Sequence, residues 1–357
     1  MTSIPAITPA YAPQPLGTPW PTTQWPTGTV NNAAELDAII DAAINNPDLG
    51  DTRTVLVIKH GRIIAERYHG ELPFFDRPAE AVTKDTTQIS WSMAKSMLAH
   101  LVGTLVDEGR LDVNAPAAVP EWSDPTDPRH QITLANLLAM RDGLDFSEEY
   151  DVESGSDVIR MLFAEGKEDM AHFTASKPLK HAPDTVWNYS SGTTNIISRI
   201  VADIVGYGEP YKAFLNDRLF GPLGMSSAVP KFDATGNFIA SSYVYATARD
   251  FAKFGLLYLR GGEWDGQRLV SQSWTDTAQI PHSRDEESGV FYSWQWWVAN
   301  DQFGSYWANG FEGQSITVVP ALDAVVVRLG RTDAQQYPEL RAWRARLLEE
   351  LAHSVLM

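Results

Sequence analysis

Ser92 and Lys95 stand three positions apart in the stretch Ile89-Ser90-Trp91-Ser92-Met93-Ala94-Lys95-Ser96-Met97. On a helix, residues at i and i+3 share a face one turn apart, so this spacing sets an amine beside a hydroxyl, the pairing of a nucleophile with its base. A serine attacks a carbonyl only when a neighbour takes its proton, and a lysine does that only when its own pKa is lowered by burial or by nearby positive charge. No other lysine in the chain has a serine three positions before it. The plain alternative is an exposed helix start, with Ser92 as N-cap and Lys95 in water.

A second group is Tyr189 in Trp187-Asn188-Tyr189-Ser190-Ser191-Gly192. A tyrosine whose proton is drawn off by neighbouring lysines serves as general base toward a serine and then as acid toward the leaving group. Its alternative is a packed tyrosine at a helix entrance, with Ser191 as the cap. The third is Trp307-Ala308-Asn309-Gly310-Phe311-Glu312-Gly313-Gln314. Glycine in a strand marks close approach of a backbone or ligand; Gly310 would bring a backbone N–H to a substrate carbonyl, forming an oxyanion hole with the N–H of Ser92. A bulge or turn without a ligand is the alternative there.

The elements that must position these groups follow from periodicity. After Ser92, Met97, Leu98, Leu101, Val102, Leu105 and Val106 keep helical spacing up to Gly109. Asn32 to Asn45 reads as a short amphipathic helix, and Thr54–Lys59 and Arg62–Tyr68 read as strands joined at His60-Gly61. From Ser92 to about Ser283 the pattern is mainly helical, including a segment opened by Thr133 and runs over Ser191–Val205 and Phe251–Leu259. Tyr292, Trp294, Trp296 and Val298 alternate as one strand, Ser315–Val319 and Ala324–Leu329 as two more, and Glu339–Val355 as a closing helix. The expected fold class is α+β, an α/β sandwich with an inserted helical domain: an antiparallel sheet built from both termini and flanked by helices. The expected division is an extended arm over 1–30, an α/β domain from 31–91 and 284–357, and a helical domain over 92–283.

Composition narrows the partners. The 357 residues are 44% hydrophobic, enough for a large core, and the formal net charge is −17. Nucleic acid and anionic membranes attract basic faces, so neither is expected. Without cysteine there is no thiolate nucleophile and no cysteine metal site, and the histidines form no H-E-x-x-H pair, so neither metal nor cofactor is expected. The Pro- and Thr-rich start lacks the basic and apolar regions of a signal peptide, and no run approaches a membrane span; the reading is a soluble, cytoplasmic protein.

Taken in order, Ser92-Met93-Ala94-Lys95, Tyr189-Ser190-Ser191 and Ala308-Asn309-Gly310 resemble the three motifs of the serine β-lactamase and penicillin-binding-protein-like hydrolases. Connecting text agrees, as in Leu137-Leu138-Ala139-Met140-Arg141-Asp142-Gly143-Leu144 and Gly221-Pro222-Leu223-Gly224-Met225. Within that family, Phe146-Ser147-Glu148-Glu149-Tyr150 and Gly310-Phe311-Glu312-Gly313-Gln314 look most like 6-aminohexanoate-dimer hydrolases and related esterases. The resemblance implies a β-lactamase/transpeptidase-like fold and a two-step acyl transfer. Ser92 would attack an amide or ester, Lys95 and Tyr189 would share the proton work, and the N–H groups of Ser92 and Phe311 would hold the oxyanion. Ser191, Asn309, Gly310, Glu312 and Trp307 are the expected substrate contacts; Trp187, Trp294, Trp296 and Trp297 are further candidate pocket walls.

Two positions depart from the family pattern. Ser191 stands where many members have Asn, and Ala308 stands where β-lactam-processing members carry Lys or His. A β-lactamase or D-amino acid peptidase of the same family is therefore the second enzyme reading, and an acylated binding or sensor module is the non-enzyme one. No G-x-S-x-G elbow suggests an α/β-hydrolase. The expected partner is a small amide or ester, with a homodimer as a possible assembly. Glu148, Glu149 and Asp151 are expected either to receive a substrate ammonium or to form a solvated acidic loop.

Overall fold

The computed structural model describes residues 4–73, 78–150, 155–286 and 288–357. Strands β1 (Asp51–Lys59) and β2 (Arg62–Tyr68) form a hairpin turned by His60 and Gly61, with φ of 50° and 72°. Positive φ at both central positions gives the turn a twist that matches the strands. The chain returns to this sheet in β3 (Ser283–Arg284), β4 (Phe291–Tyr292), β5 (Trp297–Val298), β6 (Tyr306–Gly310), β7 (Gln314–Val319) and β8 (Ala324–Arg331). All neighbours are antiparallel, in the order β3-β4-β5-β6-β7-β8-β1-β2, so β8 beside β1 joins the two ends of the chain. This is the α+β arrangement expected from the pattern.

Side-chain alternation divides the sheet into two buried faces. Val55, Val57, Val319 and Val326 pack under helices α1 (Ala33–Asn45) and α5 (Tyr337–Ala352), with Leu36, Ile40, Trp343 and Leu347. Leu56, Ile58, Ile316, Val325 and Val327 face the opposite way, into the larger core with helices α2 (Met93–Asp107), α3 (Ser191–Val205) and α4 (Ala248–Leu259). Helix α4 lies directly on this face: a Cβ at Gly255 would stand 2.7 Å from both Ile316 and Val325. The helix-rich insertion thus also supplies the inner layer of the sheet. Every residue of α2 from Met93 to Leu105 is buried, as suits a central helix.

Two expectations about elements are corrected. Tyr292 to Val298 is not one strand: Gln295 has φ 62° and Ser293 N donates to Trp296 O at 2.8 Å, which turns the chain into the β4–β5 hairpin. Aromatic alternation carries across a tight turn as readily as along a strand. The stretch read as mainly helical also holds strand: Val229–Pro230 and Val244–Ala246 form a three-stranded sheet with Gln88–Ile89, which precedes α2. That sheet matters here because it backs the residues just before Ser92.

Candidate active site

The nucleophile turn is built from Ser90, Trp91 and Ser92. Ser90 Oγ donates to the carbonyls of Trp91 (2.8 Å) and Ser242 (3.3 Å), accepts from Val244 N (3.1 Å), and so ties the turn to the small sheet. Trp91 adopts φ 44°, a conformation that costs a bulky residue ~1–3 kcal/mol unless its surroundings impose it. The indole is held at 3.4 Å from a Glu312 carboxylate oxygen and against the rings of Tyr243 and Phe311, each with centroids 5.8 Å away. Ser92 sits at the N-cap position of α2 yet makes no capping hydrogen bond. Its hydroxyl is left for Lys95, whose Nζ is 2.9 Å from Ser92 Oγ, and the exposed-helix alternative is removed: Lys95 is 1% exposed.

Lys95 Nζ also lies 3.0 Å from Ser191 Oγ and 3.0 Å from the Ser241 carbonyl. A neutral amine has two N–H bonds and one lone pair. Donating to Ser191 and Ser241 uses both hydrogens and aims the lone pair at the Ser92 hydroxyl. Burial pushes the Lys95 amine down to about 8, and the charge of Glu148 partly offsets that fall. Ser190, not Ser191, caps α3, accepting from Thr193 N at 3.0 Å, so the Ser191 hydroxyl is free to join Lys95. Asn195, one turn further along α3, bonds both the N–H and the hydroxyl of Ser241 and so fixes the carbonyl that Lys95 uses.

Tyr189 lies beside this pair, its ring centroid 4.9 Å from Lys95 Nζ. Burial first, and the Glu148 charge second, hold its phenol well above the usual tyrosine range, while a hydrogen bond with Ser92 pulls it down. Those causes together favour the protonated phenol. Trp187, Tyr292 and Trp297 pack around it, with ring centroids 6.4, 5.8 and 5.6 Å from that of Tyr189. The aromatic wall beside the nucleophile is thus Trp187 and Trp297. Trp294 stacks on His282 and packs on Trp274, and Trp296 is buried in the core against Phe254 and Tyr258.

Gly310 closes the other side. A Cβ there would stand 2.4 Å from the Ser90 carbonyl, so only glycine lets β6 come so near the nucleophile turn. Neither the Ser92 N–H nor the Phe311 N–H has a hydrogen-bond partner among the described residues. Alternation along β6 turns Ala308 into the core with α2, whereas Trp307 and Asn309 face the α5 side and line a cavity there. Both were expected as substrate contacts, and the strand's period of two places them together on that face of β6. The Glu312 carboxylate meets Trp91 Nε1 and, at 3.1 Å, Arg331 Nε.

Glu148 is half-buried. Its carboxylate accepts from Ser191 N at 2.7 Å, from Ser191 Oγ, and from the Tyr150 hydroxyl at 2.6 Å. Glu149 is exposed, and Asp151 lies outside the described residues. Ser241, Asn195 and Trp91 went unnoticed as site residues in the sequence. Only the first motif's turn hinted at Trp91, and nothing local marks Ser241. Among the described residues no acidic or histidine cluster could hold a metal ion.

Ser92, Lys95, Tyr189 and Ser191 are thus gathered between a helical layer and an antiparallel sheet. The chain belongs to the β-lactamase family, whose model matches residues 50–350, and is a serine hydrolase. It is 27% identical over 314 residues to a 6-aminohexanoate-dimer hydrolase of Paenarthrobacter ureafaciens, covering 82% of this chain and 75% of that one. In fold it is similar to a putative 6-aminohexanoate-dimer hydrolase from Bacillus anthracis, with TM-score 0.73 and 19% identity over 93% of this chain and 87% of that one. A family VIII carboxylesterase is also similar, with TM-score 0.67 and 14% identity over 89% of this chain and 99% of that one. No helix among the described residues is long and apolar enough to cross a membrane.

Proposed function

We propose that this enzyme hydrolyses linear amides or short-chain carboxylic esters, of the 6-aminohexanoate-oligomer type, through an acyl-enzyme on Ser92. The observation that carries the reading is the buried Lys95 amine, 2.9 Å from Ser92 Oγ and bonded behind to Ser191 and Ser241. Ser92 Oγ attacks the carbonyl carbon and its proton passes to Lys95 Nζ. The oxyanion takes the N–H groups of Ser92 and Phe311. As the tetrahedral intermediate collapses, the leaving amine or alcohol takes the phenolic proton of Tyr189, which is restored from the Lys95 ammonium. Water then attacks the acyl carbon, gives its proton to the same pair, and Ser92 leaves with a proton. Ala308 offers no cation to the carboxylate that a β-lactam holds rigidly near its reacting carbonyl, so cephalosporins are expected to be poor substrates.

Kinetics of Lys95→Ala and Tyr189→Phe test the reading. Each is expected to lower kcat at least ~100-fold, the range that general acid–base groups supply. Because the two act as one unit, the double variant is expected to lose far less than the product of the single losses. Single variants that keep wild-type kcat, or strictly multiplicative losses, would sink the shared proton path.

A further inference from the structure

The cavity on the α5 side of β6 has a volume of about 550 Å³ and is lined by Trp297, Trp307, Asn309, Ser315, Arg341 and Arg344, among others. The Arg344 guanidinium lies 4.3 Å above the Trp307 ring. Neither Arg341 nor Arg344 makes an ion pair among the described residues. The chain has 45 acidic residues against 28 basic ones, so acids are in excess, yet these two arginines have been left without one. The nearby Asp301, whose carboxylate accepts from Phe303 N, Ser305 N and Ser305 Oγ, offsets the Arg344 charge only in part. Asp285 also lines the cavity, with its carboxylate bonded by Ser288. Arg341 is exposed, but Arg344 is half-buried, and a half-buried cation without a paired acid is costly. Burial, and then the like charge of Arg341, push the Arg344 guanidinium down to about 10.

The cavity is near the nucleophile. Trp297 lines it and also touches Tyr189, and Asn309 precedes the Gly310 that meets the Ser90 turn. Strand β5 pairs with β6 only at Tyr306 and Trp307, so the edge from Ala308 to Gly310 is uncovered. That edge leads from Gly310, at the nucleophile turn, to Asn309 and Trp307 on the cavity wall.

We propose that this cavity binds the carboxylate end of a chain-like substrate, with Arg344 and Arg341 as the anion contacts, Trp307 as the apolar platform and Asn309 and Ser315 as polar edge. The proposal rests on the amide or ester hydrolysis argued above. The cations come from α5, which the third motif could not reveal.

Two measurements separate the failure of this proposal from the failure of the hydrolytic reading. In the first, kcat and KM are measured for two matched pairs: N-acetyl-6-aminohexanoate with its methyl amide, and the mono-4-nitrophenyl ester of adipate with its methyl ester. Wild type is expected to favour the carboxylate member of at least one pair, chiefly through KM. Arg344→Gln is expected to reduce that preference at least ~10-fold, the scale of one charge-assisted hydrogen bond. Arg344→Lys is expected to retain part of it, and Arg344→Glu to invert it. In the second, which needs no turnover, hexanoate binding to Ser92→Ala protein is followed by tryptophan fluorescence and is expected to weaken at least ~10-fold when Arg344→Gln is added. No preference for a carboxylate in either pair, a proportional loss on both members of a pair, or hexanoate binding that ignores Arg344→Gln would each overturn the proposal.

Discussion

Glu148 brings a negative charge to the first turn of α3, one hydroxyl away from Lys95. A carboxylate is at home beside a helix N-terminus, and the bonds from Ser191 N and Ser191 Oγ hold it there. Its charge raises both Lys95 and Tyr189, so it delays the loss of the lysine's proton and keeps the phenol neutral. The sign of the pH dependence follows. Catalysis needs the uncharged amine, so kcat/KM is expected to rise with pH through about 8, where Lys95 titrates. Glu148→Gln removes the offsetting charge and is expected to move this limb down by roughly one pH unit. A pH profile whose limb stays in place would show that Glu148 does not govern Lys95, whatever happens to the height of the plateau. At this scale Ser92 and Lys95 were legible because their relation is local, one turn of one helix. Glu148 was legible only as an acid, since what it touches lies far along the chain at Ser191.

At the scale of elements, the proposed oxyanion hole requires β6 to press against the turn before α2. The contact is backbone against backbone at Gly310 and Ser90, so neither side can yield by rotating a side chain. Gly310→Ala would place a methyl 2.4 Å from the Ser90 carbonyl and push the strand, with the Phe311 N–H, away from Ser92. Misplacement of about 1 Å costs on the order of 100-fold in rate, so kcat is expected to fall by about that factor while circular dichroism stays native. Unchanged kcat would mean that Phe311 N–H is not part of the machinery. The glycine's importance was readable from its place in a strand, but which side chains β6 sends to which face was not. That is set by pairing with β7, and it sent Trp307 and Asn309 to the α5 side. The false strand from Tyr292 to Val298 has a similar cause: the turn at Gln295 is fixed by distant partners, with the Gln295 amide reaching the Leu138 carbonyl and the Thr194 hydroxyl.

For the whole molecule, strand-bearing ends around a helix-rich middle were enough to foresee a sheet closed by both termini. The β8–β1 pairing runs from Asp51↔Arg331 to Lys59↔Ala324. What the pattern did not carry was the use of the middle segment twice over, as helical layer above the site and, through α4, as the sheet's inner cover. The same arrangement explains why the three motifs converge: α2 is buried on all sides, and its first turn emerges between α3 and β6. Acylation of Ser92 tests that convergence most directly. The protein is mixed with a short-chain 4-nitrophenyl ester, quenched during the first turnovers, weighed intact and mapped by peptide. The expected result is one acyl group on Ser92, absent together with turnover in Ser92→Ala. Turnover by Ser92→Ala at the wild-type rate, or an acyl group carried by another residue, would contradict the account.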